Sequence, residues 1–548
     1  MLSPLFVSKL INVLKKSAKR ALNLKLPGYS SPYFVSFLVR DSEKLFISAS
    51  AGSIFELEKT PKRTVYCDCR VGSYKYDQTN SIPDSSSEEE KQSQKYTHLP
   101  LEEDNLYAFE TSLWRLTELK YREALKDFQE KQARRVFFQD ENESYVSFYP
   151  VRPSKAFILR KFCNLDTVWW KRYVKKISRY INSLPGITFD YVFISHEKEI
   201  KIFVSTENSE VVESCELLTI GFEMNMQSWD NQIVKQEAVL NLGSGSEIPN
   251  FREIKKIIQK KYENLKELSY SRKIYSFSGP ALLYPVPAGL LFHETLGHRL
   301  EGDRLLSKTE GLTLKGQLGR KIINYDVIVE DDPTMSEFNG KKCWGSYQFD
   351  DQGVKALKTT LVENGVLRNF LTSRSQCYKK NFMPNGHARS SEANSPMSRM
   401  GVMLIRSQKK YSLDQLKKML VAEIKKQNKP YGVIIEEALD GETKTGSYDP
   451  QTFAGKISLC RLVTPEGHEE VVRGLSFVGT PLQALSQIIA LGDEFEVDNS
   501  FCVAESGTIP VTTISPAVLI RNIELQATEE LSHPPYILPK PRPKNRFT

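Results

Sequence analysis

The segment Leu291-Phe-His-Glu-Thr-Leu-Gly-His-Arg-Leu-Glu-Gly-Asp303 places His293 and His298 five residues apart, with Glu294 beside the first. The chain has only 7 histidines in 548 positions, so such a pair with an acidic neighbour is expected about 0.01 times by chance. Two imidazoles and a carboxylate in an otherwise apolar run are costly unless they have partners. Metal binding is the chemistry that fits, with the carboxylate as a base for a water. On a regular helix, residues five apart diverge by about 140°, against about 40° for the usual spacing of four. A turn widened by one residue, as in a π-bulge, would return both rings to one face. Gly297 lowers the cost of that distortion. Two imidazoles need a third ligand, and the candidates are Cys502, His387, Asp350, Asp351 and Glu505. Thiolate with imidazole suits zinc, and a His₂Cys site with one open position is catalytic in type.

The elements that must position these residues come from a chain long enough for two to four domains. The net charge of +8 is small for this length and spread along it, which argues against a nucleic-acid protein. Hydrophobic residues at 40%, with 28 Phe and 24 Tyr, exclude a mainly disordered chain. No run of 18 apolar residues occurs, so a membrane-spanning helix is not expected. Residues 4–22 read as an amphipathic surface or docking helix rather than a secretory signal, because Lys9, Lys15 and Lys16 interrupt the apolar run. The 8 cysteines form no C-x-x-C pair, which fits a reducing, cytoplasmic compartment.

The expected class is α+β in two domains, a mixed N-terminal domain at 1–275 and a β-rich C-terminal domain at 276–530 that carries the metal-site helix. A Pro-rich basic tail follows at 531–548. In the first domain, Tyr33–Val39 with Lys44–Ser50, and Tyr191–Ser195 with Ile200–Ser205, read as strand pairs; Leu217–Trp229 continues as a strand. Helices are expected at 104–134, from Trp169 to Ile181, and from Pro249 to about Leu268. The run 79–97 reads as a polar surface loop, and 270–280 as a linker. The second domain has a helix at 286–302 and short strands at 323–330, 344–349, 358–363, 366–372, 400–406, 457–464, 470–478 and 509–526. Asn364-Gly365 marks a hairpin between two of them. Further helices are expected near 412–427 and 481–491, with a polar turn after Gly492. Asp350 and Asp351 read as turn residues, and His98, His196, His468 and His533 as surface residues.

The metal-site helix with Arg299-Leu-Glu-Gly-Asp303 resembles the active-site helix of the TldD/PmbA family of metalloproteases, in its longer TldD-like branch. The resemblance continues through Gly345-Ser-Tyr-Gln-Phe-Asp-Asp-Gln-Gly353, Leu361-Val-Glu-Asn-Gly-Val-Leu367, Asn385-Gly-His-Ala-Arg389, Val472-Arg-Gly-Leu-Ser-Phe-Val-Gly-Thr-Pro-Leu482 and Cys502-Val-Ala-Glu-Ser-Gly-Thr-Ile-Pro510. It covers nearly all of 285–526 and is looser before that, best at Trp114–Ala124. The resemblance implies Zn²⁺ held by His293, His298 and Cys502, with Glu294 catalytic. It implies a homodimer, or a heterodimer with a paralogous subunit, acting on unstructured peptides. His387, Arg389, Glu301 and Asp303 are the candidates for substrate contact or for support of the ligands. Val503 stands where the longer members have Gly, and Val402 where they have Asn. Members without the histidine motif are non-catalytic partner subunits; this chain keeps the motif. The competing reading is a zinc-containing scaffold that binds a peptide or partner without cutting it, for which a fourth protein ligand would be needed.

Overall fold

The computed structural model describes residues 1–79, 95–102, 105–137, 146–243, 248–305, 314–375, 382–443, 453–479, 481–527, 536, 538 and 540–541; for 134–137, 440 and 481 it describes the backbone alone. Most of the polar run 79–97 and of the tail 531–548, with Cys377 and His533, lies outside them.

The first sheet is built on two strands of 19 residues each, Pro32–Ser50 and Ile187–Ser205, which pair antiparallel. Each had read as two strands joined by a turn. Polar residues at or beside the breaks expected there are instead paired across the sheet: Lys44 with Glu197 at 2.8 Å, and Arg40 with Glu199 at 2.6 Å. His196, expected at the surface, is buried and meets Glu216 at 2.7 Å. Ser53–Val71 forms one edge, and Glu210–Gln227 continues the other side, bordered by Lys155–Ile158 and Ile233–Leu242.

Strand alternation divides this sheet into two different faces. Odd-numbered Val35, Phe37, Val39, Leu45, Ile47 and Ala49 pack under helices. Pro4–Ala21, capped by the Ser3 hydroxyl, and Leu106–Phe137 cover one end, with Phe6 and Phe109 in ring contact at 5.5 Å. Thr167–Asn182, capped by Asp166, and Phe251–Tyr270, opened by an Asn250/Glu253 capping box, cover the other. The apolar faces of the first two helices are therefore covered within the chain, not left for a partner.

Even-numbered Leu38, Arg40, Lys44 and Phe46 face the second sheet. Arg40 and Lys201 both reach Asp351 there, the latter at 2.9 Å. Asp351 stands in a turn, as expected, and is also a buried ionic anchor between the two halves. Its neighbour Asp350 is also buried and accepts the backbone N–H groups of Gln352, Val354 and Ala388, which holds the turn from inside.

In the second sheet, Ser276–Leu283, Gly432–Thr443, Phe453–Val463, Leu475–Gly479 and Gly507–Ala527 close into a ring, because Leu475–Gly479 pairs with both of its neighbours. The expected linker 270–280 is therefore partly a central strand. Gly432–Thr443 had not been foreseen, and 344–349 is not a strand. Asn364-Gly365 turns its hairpin at φ of 50° and 77°. The helix near 481–491 is only Pro481–Ser486, and Ile488–Ala504 runs on as a strand through the expected polar turn. A register break between Leu491 and Phe495 takes up Gly492-Asp-Glu. No described helix is long and apolar enough to cross a membrane.

Candidate metal centre

The helix Pro285–Thr295 follows the central strand Ser276–Leu283 directly, with Pro285 in its first turn. It is apolar all round and packs between Gly432–Thr443 and Gly507–Ala527, as a helix without a polar face must. It ends at Leu296, and the chain turns tightly as a 3₁₀ segment, Gly297–Leu300. The five-residue spacing is thus resolved by a break and a tighter turn, not by the widened turn expected above. Ending the helix between the histidines frees His298 from the helical 100° step. Gly297 permits the break by close approach: a Cβ there would overlap the Met400 sulfur.

His293 Nε2 lies 3.3 Å and His298 Nε2 3.4 Å from Cys502 Sγ, and the two rings stand at 88°. Cys502 arrives from the hairpin Ile488–Ala504/Gly507–Ala527, more than two hundred positions later in the chain. All three donor atoms fall within 4.8 Å of one another, and all three residues are buried. Tetrahedral zinc with ordinary ligand distances sets its donors roughly 3.4–3.6 Å apart, so the donor set and its spacing fit that ion. Among the described residues the cluster has no fourth protein ligand.

Electrostatics favour the ligand form of Cys502 and the protonated form of His298, whose proton a metal would have to displace. Burial would push the Cys502 thiol up, but the His293 and His298 imidazoles outweigh it and draw it down to about 4. The thiolate is the form that binds metal. Burial would lower His298, yet Glu301 and Cys502 raise it to about 10. Glu294 is buried beside the cluster, and burial raises its carboxyl above the ordinary range. That brings it toward the pKa a general base needs near neutrality.

The structure brings Glu301, but not Asp303, to a ligand. His298 Nδ1 and Glu301 Oε2 are 3.3 Å apart, and the same carboxyl accepts Arg304 Nε at 2.9 Å and lies 3.5 Å from Arg399. Burial raises Glu301, but His298 and the arginines bring it down to about 2. Such outer partners orient metal-binding imidazoles. Asp303 instead accepts Ser398 N and the Ser398 and Ser373 hydroxyls, tying down the loop beneath. His387 is fully buried between Asn385 and Asp331, 3.2 Å from the latter, so it is neither a ligand nor a surface residue. Arg389 is likewise buried, on the Met400 carbonyl and over the Tyr347 ring. Of the other ligand candidates, Asp350 and Asp351 hold the fold as described, and Glu505 pairs with Arg304. Val503 is exposed beside Cys502, whereas Val402 is buried in a small cluster with Leu404 and Ile514.

Two arginines at the site were not singled out from sequence. Arg399 donates to the Cys502 carbonyl at 2.8 Å and to Ser506 and Gly507, clamping the turn behind the ligand. Arg299 donates to the Glu294 and Thr295 carbonyls and to Thr443, closing the end of the ligand helix. Arg299 follows His298 within the quoted stretch and Arg399 lies in none of the quoted stretches, and only the fold shows which carbonyl each meets.

The three cluster residues and Glu294 line a cleft of about 1590 Å³ between the two sheets. Lys44, Phe46 and Phe193 from the first sheet form its far wall. Residues 277–527 match the family model of the PmbA/TldA metallopeptidase C-terminal domain. Over this region the chain is similar to the TldD/PmbA family. A metalloprotease of Methanothermobacter thermautotrophicus is 32% identical over 245 residues, 44% of this chain and 49% of its own. A zinc metalloprotease TldD homolog of Saccharolobus solfataricus is 24% identical over 248 residues, 45% of this chain and 51% of its own. The chain thus matches about half the length of these curated relatives. The solved structure of TldE from Thermococcus kodakarensis shares the fold with a TM-score of 0.63, over 95% of this chain and 100% of that one, at 14% identity.

Proposed function

We propose that this protein is a zinc-dependent peptidase that hydrolyses unstructured peptides in the cleft. The observation that carries this reading is the convergence of His293, His298 and Cys502, at 3.3 and 3.4 Å, with the Glu294 carboxyl on the same cleft wall. Zinc, when held by those three side chains, supplies Lewis-acid activation of a water and of the scissile carbonyl. Glu294 takes the proton from the water and passes it to the leaving amine. Glu301 keeps the His298 ring oriented from its Nδ1 side. The strand Ile488–Ala504 pairs with Gly507–Ala527, and its residues 500–504 line the cleft. An extended peptide laid along them would gain affinity through its main chain with little sequence preference. We place the enzyme in the cytoplasm, as a homodimer or beside a paralogous subunit. A non-catalytic scaffold gains no support from a cluster of three ligands flanked by a carboxylate. The test is the zinc content of the purified chain and its cleavage of an unstructured peptide, beside Glu294→Gln. Zinc in both with cleavage only in the parent is expected; cleavage retained by Glu294→Gln overturns the assignment.

A further inference from the structure

Arg304 lies on the same cleft wall as the cluster. Its side chain is 7% exposed, and its Nε is bound by buried Glu301, which fixes the plane of the guanidinium. The two terminal nitrogens form a fork, each 3.2 Å from one oxygen of Glu505. Glu505 differs from the other members of this network: its side chain is 60% exposed. It sits on the hairpin turn that follows Cys502, between Ala504 and Gly507. A rigid, buried guanidinium is thus met by a carboxylate that can leave into solvent without breaking any packing. Planar two-point recognition of a carboxylate is what a guanidinium fork does best.

We propose that Arg304 is a carboxylate-binding subsite of the cleft, and that Glu505 occupies it as an internal stand-in until a substrate carboxylate displaces it. This rests on the reading of the cleft as a peptide site. The carboxylate is either the C-terminus of the peptide or an acidic side chain.

The experiment is calorimetric binding to the full chain carrying Glu294→Gln, so that no peptide is consumed. The probes are an otherwise neutral Gly/Ser/Ala octapeptide with a free C-terminal acid, the same peptide as its amide, and amides with a central Glu or Gln. One acid form is expected to bind about tenfold more tightly than its neutral counterpart, the scale of a charged hydrogen-bonded pair. The acid/amide and Glu/Gln comparisons separate the two sources. Glu505→Gln, which removes the competing charge, should widen the gap, and Arg304→Gln should close it. Zinc is measured alongside; if Arg304→Gln loses zinc, Glu505→Gln decides. Equal binding of acid and neutral forms in the parent and in Glu505→Gln, or no binding of any form, overturns the subsite. Discrimination without cleavage in the Glu294-containing chain would instead sink the peptidase reading and leave the subsite standing.

Discussion

Gly441 separates the role of Glu294 from that of the metal ligands. It lies on the strand Gly432–Thr443, against the ligand helix. A Cβ built on it would stand 2.6 Å from Glu294 Cγ and 2.8 Å from Glu294 Oε1. Carbon atoms in ordinary contact sit about 3.5–4.0 Å apart, so in Gly441→Ala the Glu294 side chain must retreat by about 1 Å. Leu290 Cδ1, at 2.7 Å, blocks escape to one side. Displacement of a catalytic group by about 1 Å can cost on the order of 100-fold in rate, and the overpacking itself about 1–3 kcal/mol of stability. The three heavy atoms nearest the new methyl group belong to Glu294 and Leu290, not to His293, His298 or Cys502. Gly441→Ala should therefore keep its zinc, unfold at a slightly lower temperature, and lose about 100-fold in kcat on an unstructured peptide, with KM little changed. Metal analysis, a melting curve and steady-state kinetics on one preparation suffice. An unchanged kcat would refute the placement of Glu294 as the base held by this wall. Loss of zinc would show that the wall positions the ligands instead.

Three further outcomes are expected. Glu301→Gln removes the charge behind His298 and should weaken zinc binding by about 10–100-fold in a chelator competition; full affinity would mean that Arg399 and the fold orient the ring unaided. Asp351→Asn leaves Arg40 and Lys201 without their shared carboxylate and should cost roughly 3–5 kcal/mol in urea unfolding, the scale for breaking a buried pair. Burial raises Asp351, but Arg40 and Lys201 bring it down to about 2. Its stabilisation is therefore complete above the ordinary carboxylate value of about 4 and lost as pH falls toward 2; an equal acid sensitivity in Asp351→Asn would contradict this. Phe501 and Val503 flank Cys502 and are exposed at the cleft rim. A second subunit covering them should appear as a dimer by light scattering at micromolar concentration and should spare compact folded substrates; a monomer that cuts folded and unfolded substrates alike would exclude it.

The rarity of histidine and the identity of the residues beside it made His293, Glu294 and His298 legible from sequence alone. The α+β class, the capped helices and the Asn364-Gly365 hairpin were equally legible, because they depend on neighbours a few positions apart. Cys502 was one candidate among several until the family resemblance favoured it, because nothing local in a strand residue tells which helix lies across the sheet. Tertiary structure decided what depends on distant partners. Lys44 with Glu197, and His196 with Glu216, turn apparent loops into the middle of long strands, since a charge paired across a sheet no longer needs water. In sequence His387 is a candidate for the metal or for substrate contact, and only the Asp331 and Asn385 that enclose it show how it is held. The helix break at Leu296 has the same origin. Local geometry allowed a widened turn, whereas packing of Gly297 on Met400 and the pull of Cys502 and Glu301 on His298 select a tighter one.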